Sequence, residues 1–182
     1  KTAVHIGKSN GGASLDDGQM ILHSDTIFSA LCCEAAKDNR ISKLYDCFAD
    51  GTLTISDALP YAGNEIFLPK PVIYTGSSGK EYDPNLRKAL KGVDYIPLLR
   101  FENYIKGLKD QKVHAEGLDF AFGQMFVYTR VCRRDNANPL PYHAAAWSFK
   151  PGCGLYIILK SENEAAKRLF AELLINLGIS GV

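Results

Sequence analysis

The sequence predicts an α+β domain, and three observations lead to that class. Residues 124–132 alternate apolar and polar side chains as strands do, whereas residues 24–36 and 161–177 repeat apolar side chains at helical spacing. The 182 residues suit one domain with a core large enough to fold alone. No apolar run approaches the roughly 20 residues that a membrane span requires, so we expect no membrane contact.

The chain starts with a short strand and a polar loop. Residues 2–6 alternate and predict the strand, and a Gly-rich segment from Gly7 to Ser14 follows it. Backbone amides, small hydroxyls and the one lysine of this loop are groups that bind phosphate. The spacing does not match a P-loop, so a phosphate site and a plain flexible loop both remain open.

Residues 20–36, MILHSDTIFSALCCEAA, predict the first helix. We expect the Ser24 hydroxyl to cap its first turn, and Asp25 to lie where a negative charge suits the helix dipole. The apolar residues predict one buried face, formed by Ile27, Phe28, Leu31, Cys32 and Ala35. Because a helix N-terminus attracts anions, His23 and Ser24 are candidate ligand contacts, with a simple cap as the alternative.

A second helix is predicted over residues 41–49, with a buried side formed by Leu44, Tyr45 and Phe48. Gly51 is expected to end it, and a short strand and a turn follow over residues 52–61.

Residues 65–74, EIFLPKPVIY, contain two prolines around one lysine. Prolines predict an edge strand or a bent segment, since they cannot donate to a ladder. Lys70 is then held on a stiff backbone and points away from the core, as a phosphate contact or as a solvated lysine.

The middle of the chain predicts less regular structure. A basic helix is expected from Pro84, with Asp83 as its cap. An extended piece over residues 94–99 precedes a helix from Arg100 to Lys106 that ends at Gly107. Residues 108–123, which include His114, predict a polar irregular loop that is either poorly ordered or dependent on a partner.

The last third predicts strands over residues 124–132 and 142–149, joined by the loop 133–141. A hairpin turn at Pro151-Gly152 is expected to lead into a buried strand over residues 153–159.

The C-terminal helix carries a predicted capping box, with Ser161 as the cap and Glu164 three residues on. Its buried face is predicted to contain Ala165, Leu169, Leu173 and Leu177. Gly178 is expected to be the glycine that follows the helix end.

The order of these elements is that of a β-α-β-β-α-β ferredoxin-like domain without its last strand. We therefore expect residues 1–182 to form an N-terminal ferredoxin-like domain, with residues 75–123 as an inserted basic helical and irregular segment. The last strand and a second domain are expected to be missing from this chain, and a few residues from its start.

Charge and cysteine content narrow the function classes. Residues 1–79 hold six Lys/Arg against nine Asp/Glu, and residues 80–134 hold eleven against seven. The basic middle permits a nucleic-acid partner, although a solvated surface explains it equally well. The five cysteines form no C-x-x-C pair, which predicts reduced thiols in the cytoplasm and neither a metal nor a cofactor.

Three motifs in order, HSDTIFSALCCEAA at 23–36, ISDALPY at 55–61 and IFLPKP at 66–71, resemble the fourth Csm subunit of type III-A CRISPR interference complexes. Weaker similarity extends from 95–107 to the chain end. That family belongs to the RAMP superfamily. The resemblance implies RRM-like domains and a cytoplasmic, non-catalytic subunit that holds the 5′ tag of the crRNA. It also implies docking on the large polymerase-like Cas subunit and on the adjacent backbone RAMP subunit.

The resemblance also implies site residues. Lys8, Ser9 and Asn10 of the first loop, with His23, Ser24 and Lys70, are expected to contact the tag or its backbone. The inserted segment corresponds to a thumb-like element, so three arginines are expected to touch the guide: Arg130, Arg133 and Arg134. Phosphate contacts supply affinity, whereas base reading needs stacking groups, for which Tyr128 and Tyr142 are available.

Two other functions fit the sequence. RAMP relatives include metal-independent ribonucleases that process crRNA, and His23 is the best candidate for their acid–base histidine. His5 and His143 lie in predicted strands, where a structural role is commoner. A protein-interaction scaffold is the other alternative, with apolar patches on the helix at 41–48 or on the edge at 66–73.

Overall fold

The structure, a computed structural model, describes residues 3–7, 15–71, 88, 90–110, 113, 116–132 and 140–180. The helices are α1 (Ser24–Lys37), α2 (Ile41–Ala49), α3 (Leu98–Asp110) and α4 (Glu164–Ser180). The strands are β1 (Thr54–Ile55), β2 (Leu59–Ala62), β3 (Glu65–Pro69), β4 (Tyr95–Pro97), β5 (Gly123–Cys132), β6 (Leu140–Phe149), β7 (Cys153–Tyr156) and β8 (Leu159–Lys160). Antiparallel pairs join β1 with β8, β2 with β3, β3 with β4, and β5 with β6. The α+β class is therefore confirmed.

The chain divides into two compact units. The first unit contains residues 1–20 and 59–155, and the second unit contains residues 21–58 and 156–182.

The first unit is built on a four-stranded sheet in the order β4-β3-β2-β7 and on the separate β5–β6 ribbon. Phe67 of β3 is buried, and its ring packs edge-to-face on Phe122 with the centroids 4.8 Å apart. Phe120 and Tyr95 add further ring contacts to this cluster. Aromatic pairs of this kind supply both buried area and geometric preference, so they fix the sheet's packing.

The segment 108–123, predicted to be irregular, contributes to the core instead. Helix α3 continues through Gly107 to Asp110, and Leu118 and Phe122 are buried farther on. Buried Val113 and Leu118 belong to a cluster with Val93, Ile96 and Tyr104. Residues 116–122 form neither helix nor strand, as predicted, but the prediction of a polar loop was wrong. The apolar residues here are spaced irregularly, so no helical or strand period reveals their burial. His114 lies outside the described residues.

Strand β3 is central in its sheet, so of the two alternatives predicted for residues 65–74 the edge strand was wrong. The strand ends at Pro69, and residues 72–74 lie outside the described residues. Pro69 is the last residue of β3 and pairs with Tyr95. The next amide, Lys70 N–H, donates to the Asp94 carbonyl at 2.8 Å, so the Pro69 nitrogen faces the opposite side. The neighbour on that opposite side is β2, whose paired residues in β3 are Glu65 and Ile66 and not Pro69. The amide proton that proline lacks would have no partner there, so the ladder loses no hydrogen bond.

The predicted Pro151-Gly152 turn forms, but the strands it joins do not pair with each other. Gly152 has a φ of +80°, and the Cys153 amide donates to the Lys150 carbonyl at 3.0 Å. Strand β6 pairs with β5, whereas β7 lies beside β2. The hairpin prediction was wrong because a tight turn sets chain direction and does not choose a strand's partner.

The second unit packs α1, α2 and α4 together through buried Ile27, Leu31, Leu44 and Leu173. Phe28 and Phe48 meet edge-to-face at 4.8 Å. These contacts confirm the predicted faces except for Tyr45, which is 61% exposed, and Ala165, where the buried residue is the neighbouring Ala166.

Glu34, in the middle of the buried face of α1, is a charge that apolar periodicity does not reveal. Its carboxylate accepts hydrogen bonds from Lys37 and, at 2.7 Å, from the Ser180 hydroxyl. The bonds from Lys37 and Ser180 hold the pKa of Glu34 below its ordinary value. The residue therefore remains an ionised anchor between α1 and the last turn of α4.

The helix caps differ from those predicted. Ser24 is the first residue of α1 rather than its cap, and its amide donates to the Asp57 carboxylate at 2.7 Å. At α4 the cap is Asn163, whose Oδ1 accepts from the Ala165 and Ala166 amides at 2.9 and 3.2 Å. The Ser161–Glu164 capping box was therefore wrong, and α4 continues past Gly178 to Ser180.

Three further predictions meet the described residues only in part. Val4 of the predicted first strand forms one antiparallel bridge with Trp147. The helix predicted from Pro84 is described only at Lys88, Leu90 and Lys91, which are helical. Within the described ranges, no helix is long and apolar enough to cross a membrane.

Candidate nucleic-acid interface

The outer part of the β5–β6 ribbon, residues 127–131 with 140–143, places one arginine and two tyrosines on a single face. Arg130 lies directly opposite Tyr142, and Tyr128 lies two residues before Arg130 on the same strand. Paired residues of an antiparallel ladder share a face, as do residues two apart. The Arg130 guanidinium lies 4.8 Å from the centroid of the Tyr128 ring. Planar groups on one surface are what an unstacked base can stack upon.

The opposite face of the outer ribbon is apolar and exposed. Val127 and Val131 are both about half exposed, at 51% and 53%. Between them Thr129 lies opposite His143, with the hydroxyl 3.3 Å from the ring Nδ1. The two faces thus differ in chemistry: the Tyr128 face carries the arginine and both tyrosines, whereas the opposite face carries the two valines around one threonine and one histidine.

The base of the ribbon is anchored by both flanks of the first loop. Val4 exchanges two backbone hydrogen bonds with Trp147, at 2.9 and 2.8 Å. Ala145 accepts from His5 Nδ1 at 2.6 Å through its carbonyl and donates to the Leu15 carbonyl at 2.7 Å through its amide. The segments before and after the predicted phosphate loop therefore both hydrogen-bond to the same residue of β6, Ala145.

His23 and Ser24, in the second unit, share a carboxylate that the sequence did not assign to them. Asp57 Oδ1 accepts the Ser24 amide at 2.7 Å, and Asp57 Oδ2 lies 3.2 Å from His23 Nδ1. The Ser24 amide above all, together with His23 and the Ser24 hydroxyl, holds the pKa of Asp57 below its ordinary range. The positive end of α1 is thus already met by an anion.

Lys70, in the first unit, is half-buried rather than directed into solvent. Its ammonium donates to the Leu90 carbonyl at 2.7 Å. Leu90 is helical, as are residues 88 and 91, and residue 92 is a turn, so its carbonyl lies near a helix end, where carbonyl groups lack intrahelical donors and attract cations. The prediction that Lys70 points away from the core was therefore wrong.

The remaining predicted contacts, Lys8, Ser9, Asn10, Arg133 and Arg134, lie outside the described residues. Sequence reasoning missed Asp57 as a partner because it lies 33 residues from Ser24. It also missed His5 as an anchor, 140 residues from Ala145. No local periodicity signals contacts over such separations.

In the part of the chain that is described, no group of three or more His, Cys, Asp or Glu side chains is placed to hold a metal ion. Cys32, Cys33 and Cys47 are not joined in disulfides, and neither is Cys153.

No family model matches the chain. It is 26% identical over 156 residues to the CRISPR system Cms protein Csm4 of Mycobacterium tuberculosis strain H37Rv, which covers 85% of this chain and 50% of the relative. The protein of the same name from Streptococcus thermophilus is 24% identical over 179 residues, or 94% of this chain and 54% of the relative. The chain thus spans about half the length of the curated relatives it matches.

Solved structures share the fold. A Csm1-Csm4 cassette in complex with cA4 matches with a TM-score of 0.63 and 23% identity, over 97% of this chain and 65% of that chain. A Csm3-Csm4 subcomplex of a type III-A CRISPR-Cas interference complex matches with a TM-score of 0.55 and 16% identity, over 99% and 65%.

Together, the matches show that this chain is similar in sequence to curated Csm4 proteins and in fold to chains of solved Csm1-Csm4 and Csm3-Csm4 structures. The resemblance to Csm4 that was drawn from the three sequence motifs is thereby confirmed.

Proposed function

We propose that this chain is part of a non-catalytic subunit of a cytoplasmic type III-A CRISPR interference complex. In this proposal it binds the 5′ tag of the crRNA and bridges the large polymerase-like subunit to the adjacent backbone RAMP subunit. The support is similarity to Csm4 proteins, two of which occur in solved structures with Csm1 and with Csm3. Assignment of residues 1–182 to a ferredoxin-like RAMP domain, with 75–123 inserted, remains part of the proposal.

The observation that carries RNA binding is the Tyr128–Arg130–Tyr142 face of the outer ribbon. Arg130 offers a permanent charge to a phosphate, and the tyrosine rings offer stacking surfaces to bases. The flanks of the first loop are attached to the same ribbon through Ala145. Lys8, Ser9 and Asn10 stay in the proposed contact set on this ground, and Arg133 and Arg134 because they directly follow β5 in sequence.

His23 and Ser24 also stay in the proposed set, but with a competitor. A phosphate approaching the start of α1 meets the Asp57 carboxylate, which already accepts the Ser24 amide. The phosphate and the Asp57 carboxylate are both negative, so their repulsion opposes phosphate binding at this position. If the site is used, Asp57→Asn is expected to increase RNA affinity, since it removes the competing charge and keeps a polar side chain.

Lys70 is the weakest member of the set. Its ammonium must leave the Leu90 carbonyl, or share its remaining protons, to reach a phosphate. An ammonium has three donors, so one bond to Leu90 leaves two for RNA.

For the bridging role, the best protein-binding surface is an apolar groove in the second unit. It is lined by Phe28, Cys32, Ile41, Ser42, Tyr45 and Asp46. Tyr45 and Ile41 are exposed there, and exposed aromatic residues are enriched at protein interfaces. We therefore assign to this groove the protein-binding role that the sequence predicted for an apolar patch on the helix at 41–48.

The proposal is tested by RNA binding of the full-length protein and by crosslinking in the assembled complex. Arg130→Ala is expected to weaken binding of crRNA carrying the tag and to reduce the salt slope of binding by about 0.7 per lost phosphate contact. Arg168→Ala removes the same charge from an exposed position of α4 and serves as the control. Crosslinks from the tag or guide to peptides containing residues 8–25, 70 or 128–134 are expected.

Two results would contradict the proposal. One is equal loss of affinity in Arg130→Ala and Arg168→Ala, which would indicate a diffuse charge effect. The other is an absence of RNA crosslinks from these peptides together with crosslinks from 41–48 to the large subunit, which would favour the pure scaffold.

The ribonuclease alternative has one contact in its favour. Asp57 holds His23 through Nδ1, which leaves Nε2 for proton transfer, as in histidines oriented by a carboxylate. Specific cleavage of precursor crRNA by the full-length protein, lost in His23→Ala, would establish this function. We expect no such cleavage, because Asp57 is already explained as the cap of α1.

A further inference from the structure

His5 is an exposed histidine whose tautomer is set by the fold. Its Nδ1 lies 2.6 Å from the Ala145 carbonyl oxygen, which can only accept a hydrogen bond. Nδ1 must therefore carry the proton. In the neutral ring the second nitrogen, Nε2, is then an acceptor with a free lone pair.

Alternation along the chain from the single Val4–Trp147 bridge assigns His5 to the ribbon face that carries Arg130. Val4 pairs with Trp147, and the Trp147 position shares its face with Met125 and Val127. Successive residues of an extended segment alternate between faces, so His5 falls on the other face, with Tyr128 and Arg130. His5 also lies directly before the first loop, with Nε2 turned toward Gly7: a Cβ added to Gly7 would lie 3.9 Å from it.

We propose that His5 is a further RNA contact, in which Nε2 accepts a hydrogen bond from a ribose 2′-hydroxyl of the bound crRNA. This inference rests on the proposed RNA-binding function. A neutral acceptor repels the oxygens of a phosphate and attracts a donor. On a strand whose phosphates are held by neighbouring cations, the sugar hydroxyl is the donor that every nucleotide presents, and it distinguishes RNA from DNA. His5 thereby adds selection for ribose to a site that otherwise binds by charge and stacking.

The test compares binding of the tag-containing RNA with binding of the same sequence bearing 2′-deoxyribose, using the full-length protein and its variants. His5→Asn keeps an N–H donor for the Ala145 carbonyl and lacks the outer acceptor. His5→Gln places an amide oxygen near the position of Nε2 and serves as the rescue variant. Thermal melting of both variants checks that the anchor at Ala145 persists.

We expect His5→Asn to bind the RNA about fivefold more weakly than the unmodified protein does, the effect of one lost hydrogen bond. On the 2′-deoxy strand we expect His5→Asn to bind as tightly as the unmodified protein does. On the RNA we expect His5→Gln to recover part of the lost affinity. Equal losses on both strands would overturn the ribose contact and indicate a base donor or a structural role. Unchanged RNA affinity in His5→Asn would overturn the inference and leave the proposed function standing. If the unmodified protein binds neither strand, the proposed function fails, and the inference fails with it.

Discussion

Replacement of Asp57 by alanine is expected to destabilise the second unit through the N-terminus of α1. The Asp57 carboxylate accepts a hydrogen bond from the Ser24 amide at 2.7 Å. His23 occupies the cap position of α1, and its own side chain makes no capping hydrogen bond. Loss of a capping side chain costs about 1 kcal/mol, and loss of the charge at the helix dipole costs about 0.5 kcal/mol more. The pair with His23 adds little, because both side chains are about two-fifths exposed, at 38% and 41%.

The expected loss for Asp57→Ala is therefore about 1.5 kcal/mol of unfolding free energy. In a chain of this length that corresponds to a fall in Tm of about 3–6 °C. Urea unfolding followed by circular dichroism measures the free energy directly. Asp57→Asn is expected to lose about half as much, since its amide oxygen still accepts the Ser24 amide. Asp46→Ala, an exposed carboxylate on α2, is the control and is expected to leave stability unchanged.

The pH dependence of these variants follows from the lowered pKa of Asp57. The ordinary value for an aspartate is 3.8, and the folded protein holds Asp57 below it, chiefly through the Ser24 amide. The extra stability is therefore complete above about pH 4 and is lost as the pH falls through the folded value. The stability gap between the unmodified protein and Asp57→Asn should shrink below pH 4. A gap that stays constant to low pH, or an Asp57→Ala variant as stable as Asp46→Ala, would refute the reasoning.

Three further substitutions test other contacts. Lys70→Met is expected to cost up to about 1 kcal/mol of stability, because the Leu90 carbonyl loses one of its two donors and keeps only the Val93 amide at 3.3 Å; urea unfolding measures this. Phe122→Ala is expected to cost about 3–5 kcal/mol by the same measurement, since the ring is buried in the aromatic cluster, whereas exposed Phe126→Ala should change little. Gly123→Ala places a methyl group against the Ser148 carbonyl and is expected to cost about 1–3 kcal/mol, read as lower thermal stability.

Each of these expectations has an outcome that would contradict it. A Lys70→Met variant with full stability and weakened RNA binding would make Lys70 a nucleic-acid contact first and a structural residue second. Equal losses from the two phenylalanine substitutions would mean that the exposed face of the ribbon is buried in the protein. For Gly123 the matched variant is Gly92→Ala, whose added Cβ meets nothing within 4 Å; the two glycines should differ clearly.

The sequence predicted helices well where one face is continuously apolar. Helix α2 has the predicted bounds, and α1 begins at Ser24, one residue before its predicted start, because burial of leucine and isoleucine at helical spacing is a local property. The helix ends were predicted less well. The anion at the start of α1 comes from Asp57, 33 residues away, and α4 is capped by Asn163 rather than by the residue that fits the local motif.

Strand pairing was not predicted from the sequence either, because the paired strands lie far apart in the chain. The Pro151-Gly152 turn was read correctly, but β7 has its neighbour in β2, almost a hundred residues earlier in the chain. The site was predicted from residue type, local position and family resemblance, none of which reports tertiary contacts. Lysine at residue 70 suggested a phosphate contact, and only the tertiary position of Leu90 reveals the competing carbonyl.

The attachment of the first loop to Ala145 also affects the order in which parts of the protein can fold while the chain is being synthesised. His5 and Ala145 are 140 residues apart, so the flanks of the loop emerge from the ribosome long before strand β6 exists. Closing so long a loop slows formation of the contacts that depend on it. The two ends of the proposed guide-binding surface therefore reach their final positions only after the ribbon has been synthesised. A chain that stops before Ala145 keeps the residues of the first loop and loses the strand that positions them.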